Sequence, residues 1–185
     1  MNTKNLSILF SLAVVLCALA SPSTTLLAQT DTATGKTMPA TNRELGRSGR
    51  SFIKDAAKSG MAEVTISKAS VDRLQSQPVK DFAQMMISDH GAVNAELMAL
   101  AMTKGVTLPM DDKDATKLQE KWSKKTKDLD EDYLKKMVED HEDAVKLFEK
   151  ASKSDDAEIA AFARKTLPAL KQHYEMAKTL KKSTP

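Results

Sequence analysis

The sequence predicts an all-α protein that folds as an antiparallel four-helix bundle with one short connecting helix. Ala, Leu, Lys, Glu and Met are plentiful and aromatic residues make up only 4% of the chain, a composition that favours helices over strands. Four segments of about 25 residues carry apolar side chains at a helical period. A short pattern also occurs twice, as Phe82-x3-Met86-x2-Asp89-His90 and as Tyr133-x3-Met137-x2-Asp140-His141.

The apolar periodicity places the four long helices at 51–76, 78–104, 128–152 and 156–181. Pro78 fits the first turn of the second helix, where its missing N–H costs nothing. Gly105 is the expected carboxyl-terminal cap of that helix, and Ser154-Asp155 the expected amino-terminal cap of the fourth. Pro168 should kink the fourth helix because it removes one backbone hydrogen bond.

A weakly amphipathic helix is expected over 112–125, with an apolar edge formed by Ala115, Leu118 and Trp122. Its lysines make it basic, namely Lys121, Lys124 and Lys125, with Lys127 just beyond it. Two interpretations of this charge stay open: a solvated face, or attraction to an anionic envelope surface.

The order of these elements predicts their arrangement. Short turns join the first helix to the second and the third to the fourth, so the chain forms two helical hairpins. The longer connection between the hairpins contains the short helix. A four-helix bundle with one longer crossover has the topology of the ferritin-like class.

The amino terminus has the pattern of an export signal. Lys4 is the one charged residue in front of an apolar stretch, 8–20, which is too short for a comfortable membrane span. Cleavage is expected after Ala20 or Ala28, and the polar stretch begins after Ala28; an uncleaved anchor is the alternative. We therefore expect an exported, periplasmic protein. Its segments would be a signal peptide (1–28), a flexible Thr-rich linker (29–48) and the bundle domain (49–182).

Composition excludes several classes of cofactor and partner. The single cysteine, Cys17, lies inside the signal, so the mature chain has no thiol for disulfides, iron–sulfur clusters or c-type haem. The formal charge of +3 is too balanced for a nucleic-acid-binding protein. No glycine-rich phosphate loop or dinucleotide fingerprint is present, so no nucleotide is expected.

Each long helix offers one ligand-capable polar residue at an inward position: Glu63, His90, His141 and His173. Buried imidazoles cost free energy unless each ring finds a partner. A shared site for one transition-metal ion, Zn, Cu or Fe, would provide those partners. The neighbouring residues add two expectations. Asp89 and Asp140 would orient the rings from outside the site, and Met86 and Met137 are candidate soft ligands.

Other interpretations of these residues stay open. A polar Asp–His layer would also fix how the two hairpins pair, in a non-metal module that acts through its surface. A di-iron centre of the ferritin-like type needs Glu-x-x-His motifs, and the chain has none. We therefore expect binding rather than catalysis, with an oxidase or peroxidase as the weakest alternative. Helical period gives direction only, so it leaves open whether the four residues lie at one depth.

Five motifs occur along the predicted bundle: Phe52-x3-Ala56-x3-Gly60-x2-Glu63, Val79-x2-Phe82-Ala83-x2-Met86-Ile87-x-Asp89-His90-x3-Asn94, Leu108-Pro109, Asp130-x2-Tyr133-x3-Met137-x3-His141 and Leu167-Pro168-x-Leu170-x2-His173. Together they resemble domain of unknown function 4142, a family of exported bacterial ferritin-like bundles. The resemblance covers about 51–180. It implies the bundle fold and an envelope location, and it links the chain to stress tolerance or metal handling only by analogy of fold.

Overall fold

Five α-helices make up nearly all of the chain that the computed structural model describes, residues 45–108 and 112–184. No strand occurs in those two segments. The helical prediction is therefore confirmed. The helices are α1 (Arg47–Ser70), α2 (Gln77–Thr103), α3 (Asp112–Ser123), α4 (Leu129–Ala151) and α5 (Ala157–Ser183).

The four long helices form the predicted bundle of two hairpins. Helix α1 packs against α2, and α4 packs against α5. The hairpins meet through contacts of α1 with α4 and of α2 with α5, so each long helix has two neighbours. The connecting helix α3 packs against α1. Its Trp122 is buried and Leu118 partly buried, but Ala115 is exposed, so the predicted apolar edge is shorter than expected.

Helix α1 differs most from its predicted bounds. It begins at Arg47, because Leu45 packs against Gly49 and the Gly46 carbonyl accepts the first helical hydrogen bond from Arg50. Arg47 and Ser48, which the sequence analysis assigned to the linker, are therefore helical. The helix ends at Ser70, six residues before the predicted end. The chain turns there, and the Asp130 carboxylate accepts hydrogen bonds from the backbone N–H groups of Gln75 and Ser76.

The other helices end within two residues of the predicted positions. Gly105 closes α2 with φ +61°, as expected for a carboxyl-terminal cap. The cap of α5 is Asp156 and not the predicted Ser154-Asp155, because its carboxylate accepts from the N–H groups of Glu158 and Ile159. Lys104 pairs with Asp156 and so ties the end of α2 to the start of α5. Pro168 lies inside α5, which continues through it; the kink stays a prediction.

Two apolar clusters fill the bundle. The phenylalanine cluster contains Phe52, Phe148 and Phe162, whose rings meet edge to face or tilted. The methionine cluster contains Met86 and Met137 with Phe82, Tyr133 and Trp122. Each of the four long helices contributes one half of its length to the phenylalanine cluster and the other half to the methionine cluster. Between the two clusters lies a layer of buried polar residues, Glu63, His90, His141 and His173.

The amino-terminal predictions lie mostly outside the described residues. The signal peptide (1–28) and most of the linker fall there, as does Pro109. Of the helices that are described, none has the length and apolar character needed to span a bilayer.

Candidate metal centre

The polar layer consists of Glu63, His90, His141 and His173, one from each long helix. Each of them is at most 5% exposed. The sequence left open whether these residues lie at one depth in the bundle, and the structure shows that the three imidazoles do. One ring nitrogen of each histidine lies within 4.8 Å of the corresponding nitrogens of the other two. The ring centroids are 5.3, 5.5 and 5.5 Å apart.

Each imidazole has one ring nitrogen, called here the outer nitrogen, that lies against an oxygen atom of another residue. His90 Nδ1 lies 2.7 Å from Oε2 of Glu63, at ion-pair distance without hydrogen-bond alignment. His141 Nδ1 donates to the backbone carbonyl of Met137 at 2.9 Å, one turn earlier in α4. His173 Nε2 donates to Oδ2 of Asp89 at 3.1 Å, from α5 to α2.

The acceptors assign the tautomers of His141 and His173, whose rings are neutral at neutral pH. Carbonyl and carboxylate oxygens only accept, so His141 Nδ1 and His173 Nε2 carry the proton, and the other nitrogen of each of these two rings keeps its lone pair. The Nε2 atoms of His90 and His141 lie 3.3 Å apart. His173 Nδ1 is buried and has no hydrogen-bond partner among the described residues. Two buried lone pairs, on His141 and His173, therefore lie in the same layer as the imidazole of His90.

This geometry fits a small cation. Imidazole nitrogens bind zinc at about 2.0–2.1 Å, so two of them in a tetrahedral site are about 3.3 Å apart. The observed Nε2–Nε2 distance of 3.3 Å matches that separation for His90 and His141, and a ring nitrogen of His173 lies within 4.8 Å of both rings' ligand atoms. Acceptors on the outer nitrogens are also the usual surroundings of metal-binding histidines, because they fix ring orientation and tautomer.

The carboxylate and the imidazoles change one another's pKa values. Burial alone raises the pKa of Glu63, but the contact with His90 and the charges of the three imidazoles outweigh it, so the pKa lies below the ordinary value of 4.5. Burial lowers the pKa of His141. Burial, together with repulsion from His90 and His141, lowers the pKa of His173 to about 4. At neutral pH the site therefore contains an ionised carboxylate beside neutral His141 and His173, the protonation states that metal binding requires.

Acidification should destabilise the metal-free protein between pH 6.5 and 4. The pKa of His173 is 6.5 before folding and about 4 after it, so the unfolded chain binds more protons in that interval. The free energy of unfolding must then fall as the pH falls. His141 acts in the same direction. Urea unfolding at a series of pH values measures the slope, and His173→Gln should flatten it. An unchanged slope in that variant would assign the effect to other groups.

The other predicted site residues are placed less symmetrically. Asp89 makes the expected contact with a histidine of a neighbouring helix. Asp140, at the matching position of the repeat, instead pairs with Lys136 one turn earlier in its own helix. Glu63 contacts the ring of His90 and does not join the group of three nitrogens. Met86 and Met137 are fully buried in the methionine cluster.

Sequence reasoning missed two contributors near the layer. The backbone carbonyl of Met137 accepts a hydrogen bond from His141. Every residue type has such a carbonyl, so the identity of residue 137 gave no signal for this contact. A hydrogen bond of 2.8 Å joins Ser67 and Tyr133 one turn from Glu63 and two turns from His141. The Tyr133 hydroxyl was predictable as a buried group in need of a partner, but its partner was not.

Comparison with known proteins gives two matches. The family described as domain of unknown function (DUF4142) matches residues 34–180. A crystal structure of a DUF305 fragment from Deinococcus radiodurans superposes with a TM-score of 0.63 at 11% sequence identity, over 75% of this chain and 98% of that chain. At this identity the likeness shows the fold alone, a ferritin-like helical bundle. No curated protein sequence matches the chain.

Proposed function

Because the chain belongs to the DUF4142 family, whose description states no activity, we propose its function from the site: it binds one transition-metal ion through His90, His141 and His173. One observation carries this proposal. One nitrogen of each imidazole lies against an oxygen atom, and one nitrogen of each lies within 4.8 Å of those of the other two rings. A metal ion is a partner that three buried imidazoles at this distance can share.

Glu63 has a different part in this proposal from the ligand role expected from the sequence. Its carboxylate contacts Nδ1 of His90, the nitrogen that would not bind the metal, and places one buried negative charge near the cation. Such carboxylate–histidine–metal arrangements raise the basicity of the ligand. Asp89 holds His173 in the same way, and the Met137 carbonyl holds His141.

The donor set narrows the choice of metal. Three imidazoles suit Zn, Cu and Fe, whereas calcium and magnesium prefer oxygen. The ion is mononuclear in this proposal, because the layer has one carboxylate and no Glu-x-x-His pair. Thioether ligation by Met86 or Met137 would favour Cu(I). Both methionines are buried in the methionine cluster, which supports a role in core packing and not in metal binding.

The direct test is a titration of the metal-free protein with Zn, Cu and Fe, followed by elemental analysis after gel filtration. We expect one ion per chain and a raised melting temperature. A structural polar layer is the second candidate function, and the 3.3 Å Nε2–Nε2 distance also suits a hydrogen bond between two rings. No retained ion and no thermal shift would favour that layer.

Removing an outer acceptor should weaken metal binding about 10–100-fold, as is usual for groups that orient a metal ligand. The pair Asp89→Asn and Asp140→Asn tests this within the internal repeat. Both aspartates precede a histidine, but only Asp89 contacts a ring in the layer. We expect competition titrations to show weaker binding for Asp89→Asn and unchanged binding for Asp140→Asn. Equal losses would contradict the assigned role of Asp89.

We further propose that the protein acts outside the cytoplasm. The support is the pattern of Lys4 and the apolar stretch 8–20, which is typical of export signals. Of the four lysines that make the connecting segment basic, Lys124 pairs with Glu120 and Lys125 with Asp132, which reduces the positive charge that the segment offers to an anionic surface. Cell fractionation with sequencing of the mature amino terminus tests export, and an intact terminus in the cytoplasm would contradict it.

A further inference from the structure

The three imidazoles lie in the interior of the bundle, so a metal ion needs a path from solvent to reach them. Each histidine of the layer is at most 5% exposed, and Glu63 is 1% exposed. Asp89 differs from these groups, because its side chain is 45% exposed while its Oδ2 accepts a hydrogen bond from Nε2 of His173. Asp89 is therefore a polar group that meets both the solvent and an imidazole of the layer.

The internal repeat contains a second aspartate at the matching position, but a lysine pairs with that carboxylate. Asp140 pairs with Lys136, one turn earlier in α4, and its side chain is 19% exposed. The residue that matches Lys136 in the first copy of the repeat is Met85, which is partly buried against the methionine cluster. Asp89 pairs with no lysine or arginine among the described residues. Of the two aspartates, Asp89 alone thus offers an unpaired carboxylate to a cation in solvent.

The seam between α2 and α5 has a short side chain at the surface beside Asp89. Two polar contacts cross the seam and align the helices antiparallel: Asp89 with His173, and Glu96 with Lys165. By helical period, the outer position of α2 between these contacts is Ala92, which is exposed. A methyl group therefore stands at this edge of the seam, one turn from Asp89, and the carboxylate stays open to solvent.

We propose that metal ions enter and leave the buried layer at the seam between α2 and α5, through Asp89 and then His173. The inference rests on the proposed metal site. The carboxylate attracts a hydrated cation and raises its concentration at the surface. His173, its hydrogen-bond partner, is the first imidazole that the ion meets, and the other two have ligand nitrogens within 4.8 Å of that of His173. Asp89 thus sets the rate of metal exchange, in addition to orienting the ring.

Ala92→Phe tests the path without changing a charge or a contact of the layer. The rates to measure are Zn(II) uptake by the metal-free protein and Zn(II) release to an excess of chelator, both by stopped-flow mixing. An aromatic ring over the seam should slow uptake and release by the same factor and leave the Kd unchanged, because an obstacle on the path affects both directions equally.

Ala95→Phe is the matched control for that variant. Ala95 is also an exposed alanine of α2, but the helical period turns it away from α5, so both rates should stay native. Because Ala92 and Ala95 are both exposed, phenylalanine at either position leaves the core unchanged and both variants should fold. Native rates in Ala92→Phe, or equal slowing in Ala95→Phe, would overturn the inference and leave the metal site standing.

Met85→Lys tests the role of the carboxylate itself. It gives Asp89 the same pairing that Lys136 gives Asp140 in the second copy of the repeat. We expect uptake to slow about tenfold, the lower end of what electrostatic steering adds to association rates. Native uptake with faster release would assign Asp89 an orienting role alone and would overturn the inference. Failure of the unmodified protein to retain any of the three candidate ions would overturn the metal site, and this inference with it.

Discussion

Replacing His90 by leucine should destabilise the metal-free protein by about 3–5 kcal/mol, the usual cost of removing one partner from a buried ion pair. Glu63 is 1% exposed, and His90 is the one side chain at ion-pair distance from its carboxylate among the described residues. Without His90 the carboxylate stays buried with neither oxygen paired. Chemical denaturation at neutral pH measures the effect.

The double variant Glu63→Met with His90→Leu separates this cause from a simple loss of packing. Replacing both partners of a buried pair by apolar side chains of similar volume is often neutral or stabilising. We therefore expect the double variant to recover most of the lost stability, although it can no longer hold metal as the native protein does. A double variant that is as unstable as His90→Leu would show that the ion pair contributes little.

His141→Ala should weaken metal binding by more than about 100-fold, because the loss of an outer acceptor alone costs about 10–100-fold. His141 is fully buried, and its Nε2 lies 3.3 Å from that of His90. Free metal at 100 times its Kd should stabilise the unmodified protein by about 2.7 kcal/mol. Thermal unfolding with and without metal should therefore show a clear shift that His141→Ala abolishes.

Thr166→Val is the matched control for that experiment. Thr166 is buried in α5, where its hydroxyl donates to the Phe162 carbonyl of the same helix, and it takes no part in the histidine layer. This variant should keep the metal-dependent shift even if its overall stability falls. A shift that survives in His141→Ala, or one that disappears in Thr166→Val, would contradict the assignment of the ligands.

The fold was largely predictable because the apolar period of each helix is regular. Four residues identified from that period, Glu63, His90, His141 and His173, are all buried where the helices meet. The start of α1 was missed because its cap is Gly46, with no side-chain hydrogen bond to mark it. Its early end was missed because the turn that follows it is held by Asp130, which lies in a distant part of the chain.

The chemistry of the site was less predictable. A helical period gives the direction of a side chain but not its height relative to other helices, so convergence of the imidazoles needed the three-dimensional structure. The repeat also hides an asymmetry. Asp89 faces α5 and accepts a hydrogen bond from His173, whereas Asp140 pairs with Lys136 one turn away in its own helix. Neighbours in space, and not position in the motif, decide which aspartate orients a ring.

The most direct measurement is X-ray absorption at the metal edge of the loaded protein. The account predicts about three imidazole nitrogens at about 2.0–2.1 Å from a zinc ion, with no sulfur near about 2.3 Å. It also predicts that His173→Gln lowers the number of imidazole nitrogens around the ion by one, because His173 belongs to the group of three. A first shell of oxygen atoms without imidazole, or a protein that retains no ion, would contradict the claim that this layer is a metal site.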